Sequence, residues 1–186
     1  LNWHDAAIDG SNARGIAMSD LSLTSAALIG AGATALIDLW AVVRRRVFGI
    51  PALNYAYVGR WFAHLLRGRW RHDPIAATQP VRGEAIVGWM VHYLTGIVFA
   101  VILLALVGPQ WPRRPTLLPA LIVGITTVIA PFFIMQPAMG AGIANSRAPR
   151  PAAARIQSLI THAIFGVGLY ATGWLIALSD LVTEGG

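Results

Sequence analysis

Asp38, His92, Gln136 and His162 are the side chains whose type and setting could support chemistry in this chain. Each lies within, or at the end of, a long apolar run. An imidazole titrates near neutral pH, and together with a carboxylate it suits zinc, iron or copper. In an apolar medium either group is costly unless it faces protein, water or a ligand. Glu84 stands just outside one run, where it can cap a helix, pair with a loop arginine or act as a proton access point. Other chemistry lacks a motif. No serine sits in a nucleophile elbow, and neither a His-Glu-x-x-His sequence nor a paired-carboxylate motif occurs, so the reading leans away from an enzyme. The chain has no cysteine, which excludes disulfides and thiolate metal sites.

The elements that must position these groups are membrane-length helices. Hydrophobic residues make up 56% of the chain and charged ones 12%, against about 25% charged in a soluble domain. The stretch Ala85–Val107 has one side chain of a type that titrates near neutral pH, His92, and no proline. At about 1.5 Å per residue it crosses a core of about 30 Å. Three further runs resemble it. The sequence therefore predicts an all-α polytopic membrane protein, with four transmembrane helices in an up-down bundle over residues 21–43, 85–107, 116–136 and 155–178. Residues 1–20 form a polar tail without the apolar core of a secretory signal. Met18-Ser19-Asp20 reads like a natural start, which makes residues 1–17 an extension, a misassigned start or a flexible tail. Residues 179–186 are a short acidic tail.

Within the first span, small residues around Gly30, Ala31 and Ala35 let a neighbouring backbone approach closely. Gly30-x-Gly32-x-x-Ala35 matches a dinucleotide fingerprint only superficially, because no strand precedes it. Pro131 removes a backbone bond from the third span and should kink it. Residues 47–84 form a cytoplasmic amphipathic loop. In it Tyr55, Val58, Phe62, Leu65 and Leu66 fall at helical spacing, with Arg60, His64 and Arg67 opposite, as in a helix lying on the membrane surface. Trp61 and Trp70 suit the headgroup layer.

Arginine placement sets an expected orientation. Arg44, Arg45, Arg46, Arg60, Arg67, Arg69, Arg71, Arg82, Arg147, Arg150 and Arg155 fall on one side of the bundle, and Arg14, Arg113 and Arg114 on the other. By the positive-inside rule, the richer side is cytoplasmic and both termini are periplasmic, in a bacterial inner membrane. The net charge of +6 then marks topology and contact with anionic lipid, through Arg44–Arg46, Arg60, Trp61 and Trp70, rather than a nucleic-acid surface.

Depth gathers the polar groups. Asp38 lies about 9 Å up the first span from Arg44, and His92 and His162 each about 10 Å up theirs. Gln136 closes the third span slightly nearer the cytoplasm. Three readings fit this layer. One is a packing network that locks helix register, each bond worth about 1 kcal/mol in a membrane. Another is a site for a metal ion, proton or small ligand, with Asp38, His92 and His162 as ligands or relays, serving transport or sensing. The last is haem held between His92 and His162 on diagonal helices, in an electron carrier. Gly88, Gly96, Ser158 and Gly166 flank the two histidines and would admit either a flat macrocycle or a close helix. Met90, Met135 and Met139 read as packing. If the polar layer only packs helices, the chain is an accessory subunit whose exposed small-residue face docks on a membrane partner or on a second copy.

A family resemblance adds to this. Asp38-Leu39-Trp40, Leu53-Asn54-Tyr55-Ala56, Val58-Gly59-Arg60-Trp61, His72-Asp73, Gly83-Glu84, Gly88-Trp89, His92-Tyr93, Pro115-Thr116-Leu117, Met135-Gln136-Pro137 and Met139-Gly140-Ala141-Gly142-Ile143-Ala144 carry it. Over about residues 21–175 the chain resembles the bacterial integral membrane proteins of domain-of-unknown-function family 2938. The resemblance implies a small four-span inner-membrane protein and brings no activity. It places Asp38, His92, Gln136 and His162 on positions of the family pattern.

Overall fold

The computed structural model describes the backbone over residues 3–184 and side chains over residues 23–179. Its helices are α1 (Trp3–Phe48), α2 (Tyr55–Leu65), α3 (Glu84–Val107), α4 (Leu117–Thr126), α5 (Gln136–Ala138) and α6 (Pro151–Glu184), with a π-helical turn at Pro131–Met135 and no strand among the described residues. Four segments are long and apolar enough to span a membrane: Leu23–Phe48, Glu84–Val107, Leu117–Ala138 and Pro151–Ser179. The fold is thus an all-helical membrane bundle. The most apolar stretch of each span is only 22–28% buried within the fold, so most of that surface is left for lipid.

Several boundaries move outward from the sequence expectation. α1 runs on through Arg44–Arg46 to Phe48, and α6 starts at Pro151 rather than near Arg155. Proline at the first helical position forfeits no bond, since that N–H has no partner inside a helix anyway. Toward the N-terminus, α1 continues back to Trp3, so residues read as a polar tail join the helix; their side chains lie outside the described residues, as do those of the acidic tail from Asp180 on.

α1 packs against α3 on one side and α6 on the other, α6 packs against α4, and α3 touches α4 only lightly. These interfaces are made by backbone approach. A Cβ on Gly30 would collide with the backbone of Gly96 and Ile97, and one on Gly124 with the backbone of Gly166. Glycine at both sides of a crossing brings two helices close enough for dispersion to hold them, in a medium that supplies no hydrophobic drive between helices. The small-residue stripe of α1 is therefore largely consumed inside the monomer: Gly30 is buried, Gly32 abuts Thr172, and Ala35 alone of the three named positions is exposed. Ile29, Ala33, Leu103, Leu169 and Phe165 fill the core between these helices.

The third span is broken, as Pro131 predicts, but by a change of helical register. α4 stops at Thr126, and the chain resumes as the π-turn in which the Gln136 N–H reaches the Pro131 carbonyl. Proline cannot donate back to residue 127, and widening the turn by one residue re-pairs the chain beyond it.

The amphipathic helix also departs from expectation. Rather than lying on the lipid with Arg60 outward, α2 packs along α3 and buries Val58, Gly59, Arg60 and Trp61. Gly59 and Gly88 make this contact, since a Cβ on Gly88 would overlap the Tyr55 carbonyl and one on Gly59 that of Glu84. Gly88→Ala should then force the two helices apart and lower stability by about 1–3 kcal/mol. Ile86→Ala, two residues away at an exposed position, should change it far less. Thermal unfolding of the two variants in detergent checks the contrast.

Candidate functional site

Asp38 and His92 meet where α1 crosses α3. His92 Nε2 lies 3.1 Å from Asp38 Oδ1, and the Tyr93 hydroxyl donates to Asp38 Oδ2 at 2.9 Å. From α2 the Tyr55 hydroxyl reaches His92 Nε2 at 2.9 Å, and its ring stacks on the imidazole with centroids 4.2 Å apart. Trp89 closes the cluster against Tyr55 and His92. The Asp38 and His92 side chains are 21% and 15% exposed, so the site is shielded but not sealed.

The geometry sets the protonation pattern. An ionised carboxylate only accepts hydrogen bonds, so Nε2 must carry the proton it directs at Oδ1. With Nε2 a donor, the Tyr55 oxygen accepts from it or sends its own proton to Asp38. Burial, followed by the Asp38 charge, pushes the Tyr55 pKa above its ordinary 10, which keeps the phenol protonated. One carboxylate is thus encircled by an imidazole and two phenols. A proton reaching the far nitrogen of His92 yields an imidazolium paired with Asp38, and passage of the Nε2 proton to Oδ1 yields a neutral acid.

His162 does not join this group. Its Nδ1 lies 3.0 Å from Thr127 Oγ1 and 3.3 Å from the Gly124 carbonyl. Thr127 already donates its hydroxyl proton to that carbonyl at 2.6 Å, so Nδ1 supplies the proton for the third bond. His162 thereby braces the Gly124 carbonyl and the Thr127 hydroxyl beside the break in the third span. By helical rise, Asp38 stands about 15 Å from the end of α1, His92 about 12 Å into α3, and His162 about 16 Å into α6. The two histidines serve different helix pairs, α1–α3 and α4–α6.

This corrects the metal set Asp38, His92 and His162: among the described residues no three His, Asp or Glu side chains gather where they could hold an ion. It bears equally on the haem arrangement. A macrocycle between His92 and His162 would need the space beside Gly88, Gly96 and Gly166, and backbone or side-chain atoms of Tyr55, Thr34, Ala120 and Leu121 occupy it. The close-helix use of those small residues prevails. Gln136 is also separate: it is buried in the short α5 with its Oε1 unpartnered.

Glu84 is held by Arg60 in a bidentate pair, Nε to Oε2 at 2.8 Å and Nη2 to Oε1 at 2.7 Å. Arg60 is 6% exposed, and its Nη1 donates to the Thr78 carbonyl at 2.9 Å. Glu84 also accepts from the Val81 N–H at the head of α3, where a carboxylate complements the helix dipole. Of the expected lipid contacts, Arg60 and Trp61 are therefore internal; Trp61 donates its Nε1–H to the Trp70 carbonyl. Arg44 reaches Gln157 and the Pro51 carbonyl, while Arg45, Arg46 and Trp70 are exposed.

Sequence reasoning left out three participants. Tyr93 follows His92 directly, so a helix alone would splay the two about 100° apart, and only the crossing of α1 between them brings both to one carboxylate. Tyr55 belongs to the apolar face of an amphipathic helix and joins the site because α2 folds back on α3. His72 is 1% exposed, with Nδ1 2.9 Å from Thr78 Oγ1 and Nε2 unpartnered. Histidine in a polar loop carries no signal of burial.

Compared with known proteins, the chain matches the model of a family of unknown function (DUF2938) over residues 27–176. No curated protein and no solved structure matches it.

Breaking the Arg60–Glu84 pair from one side leaves a buried charge unpaired. Glu84→Gln should therefore cost about 3–5 kcal/mol, and the double change Arg60→Met with Glu84→Met less than its two singles combined. Equilibrium unfolding in mixed detergent micelles reads this cycle. A second expectation concerns pH. Burial, then the nearby Arg69 charge, holds the His72 pKa below its ordinary 6.5, with His64 adding in the same direction. Because the unfolded chain takes the proton more readily, the stability from the neutral ring is whole above pH 6.5 and declines as pH falls through the window below it. Melting temperatures at pH 7.5 and 5.5 should converge in His72→Asn relative to the unaltered protein.

Proposed function

The chain belongs to the DUF2938 family, and from the geometry of its polar cluster we propose that Asp38 and His92 form a reversible proton-binding site within the membrane, serving proton-coupled transport or sensing. The observation that carries this reading is the continuous hydrogen-bonded set Tyr55, His92, Asp38 and Tyr93, which joins three helices around one carboxylate. Ionisable groups facing each other inside a bundle are the usual parts of proton relays. A metal reading lacks a third ligand. A purely structural cluster would account for the bonds between α1 and α3, but it gives no reason for two titratable groups where Ser, Thr or Asn would lock register at lower cost. Docking through the small-residue face of α1, as an accessory subunit would need, is disfavoured because that face is mostly spent on α3 and α6.

In orientation, residues 49–83 and 139–150 share one end of the bundle with most of the arginines, and we read that end as cytoplasmic in a bacterial inner membrane. α2 lies at this end, so Tyr55 is the first group of the cluster on the cytoplasmic side.

Infrared difference spectra of the protein in liposomes test the proposal. As pH falls, the protonated carboxyl band of Asp38 should grow, vanish in Asp38→Asn and shift its midpoint in His92→Gln. Under a potassium diffusion potential, liposomes carrying a trapped pH dye should acidify faster with the unaltered protein than with Asp38→Asn, by about tenfold or more. A carboxyl band indifferent to Asp38→Asn across the titration would rule the site out. A band that titrates in liposomes showing no added proton flux would assign sensing rather than conduction.

A further inference from the structure

A second polar feature lies at the arginine-rich end of the bundle, apart from the Asp38–His92 cluster. A cleft of about 370 Å³ opens between the loop after α2 and the loop after the third span, lined by Trp70, Arg71, Pro137, Ile143, Ser146 and Arg147. That volume falls in the range of small-ligand sites. Both walls are fixed. The His72 N–H donates to the Ala138 carbonyl at 2.8 Å and the Ile75 N–H to that of Met139 at 3.0 Å, which staples one loop to the other. Trp61 holds the Trp70 backbone from beneath. The Arg147 N–H closes its own loop on the Ala141 carbonyl at 2.9 Å. Gly142 sits there at φ +74°, and a Cβ would collide with Ser146 Oγ, so the turn needs glycine to leave that hydroxyl in place.

The donors in the cleft are underused. Asp73 takes only Nη1 of Arg147, through both carboxylate oxygens at 3.0 and 3.1 Å. Among the described residues, the Arg71 guanidinium and the Ser146 hydroxyl have no partner. Two arginines less one aspartate leave a net charge of one positive, which matches a phosphodiester. Guanidinium groups with free N–H forks are suited to phosphate oxygens. Position adds an independent argument. Pro137 is the penultimate residue of the third span, which places the cleft at the boundary of the apolar zone, and Trp70 and Ile143 stand 50% and 57% exposed at its rim. A tryptophan and an aliphatic side chain beside a cationic cleft at that level fit a molecule with a phosphate above and hydrocarbon below.

We infer that this cleft is a phosphate site occupied by the headgroup of an anionic phospholipid, with Arg71 and Arg147 as the anion-binding residues and Ser146 as a hydroxyl donor.

The test uses the full chain, delipidated in detergent and titrated with dihexanoyl phosphatidylglycerol, with dihexanoyl phosphatidylcholine, and with glycerol 3-phosphate alone, followed by calorimetry. Phosphatidylglycerol should bind about tenfold more tightly than the zwitterionic lipid, and Arg71→Gln with Arg147→Gln should remove that preference. Asp73→Asn should raise the affinity, because it removes a competing carboxylate. Should the double variant fail to fold, Arg71→Gln alone carries the test, since that side chain is exposed and has no hydrogen-bond or ion-pair partner among the described residues. Glycerol 3-phosphate binding as tightly as phosphatidylglycerol would support the anion cleft and assign it to a soluble phosphate compound. Equal affinity for both lipids, or an unaltered preference in a folded Arg71→Gln variant, would overturn the inference.

Discussion

The ion pair between Arg60 and Glu84 decides where α2 lies, and much of the rest follows from that placement. A guanidinium fork bound through two nitrogens to one carboxylate has a single good geometry, and both partners are shielded from water. Glu84 is the first residue of α3, so α2 is tied to the start of the second span. Gly59 and Gly88 then let the two backbones touch, and Tyr55 is delivered to His92. The periodicity of α2 alone would equally suit an amphipathic helix lying on lipid.

Polar groups at mid-depth are handled in two ways in this bundle. His162 is absorbed by its own surroundings: its proton goes to a threonine oxygen and a carbonyl freed near the break at Pro131, and such bracing is how a discontinuous helix is tolerated in hydrocarbon. Asp38 and His92 are satisfied too, but by groups that can exchange protons with one another. On the proposed reading, what separates His92 from His162 is the partner. A carbonyl cannot accept a proton outright, whereas a carboxylate can.

The arginines likewise divide by role. Arg60 is internal and structural, Arg44 links α1 to α6 and to the loop beyond it, and Arg71 and Arg147 line an open cleft at the same end. A single rule about positive charge and topology covers their number. It says nothing about which of them touches lipid, because a long side chain on a loop points wherever the loop's hydrogen bonds send it.

Composition and run length alone determined that this is a four-span helical membrane protein, because a helix must satisfy every backbone bond internally to cross hydrocarbon, and only long apolar runs pass that filter. The break at Pro131 was legible for a similar reason, since proline chemistry acts along the chain. What tertiary structure decided was azimuth: which side of each helix faces which neighbour. That separated His162 from His92, brought Tyr93 and Tyr55 to Asp38, and turned Arg60 inward. Depth is a one-dimensional quantity that residue counting measures, whereas facing depends on crossings set by glycine contacts and by one ion pair between residues 24 positions apart.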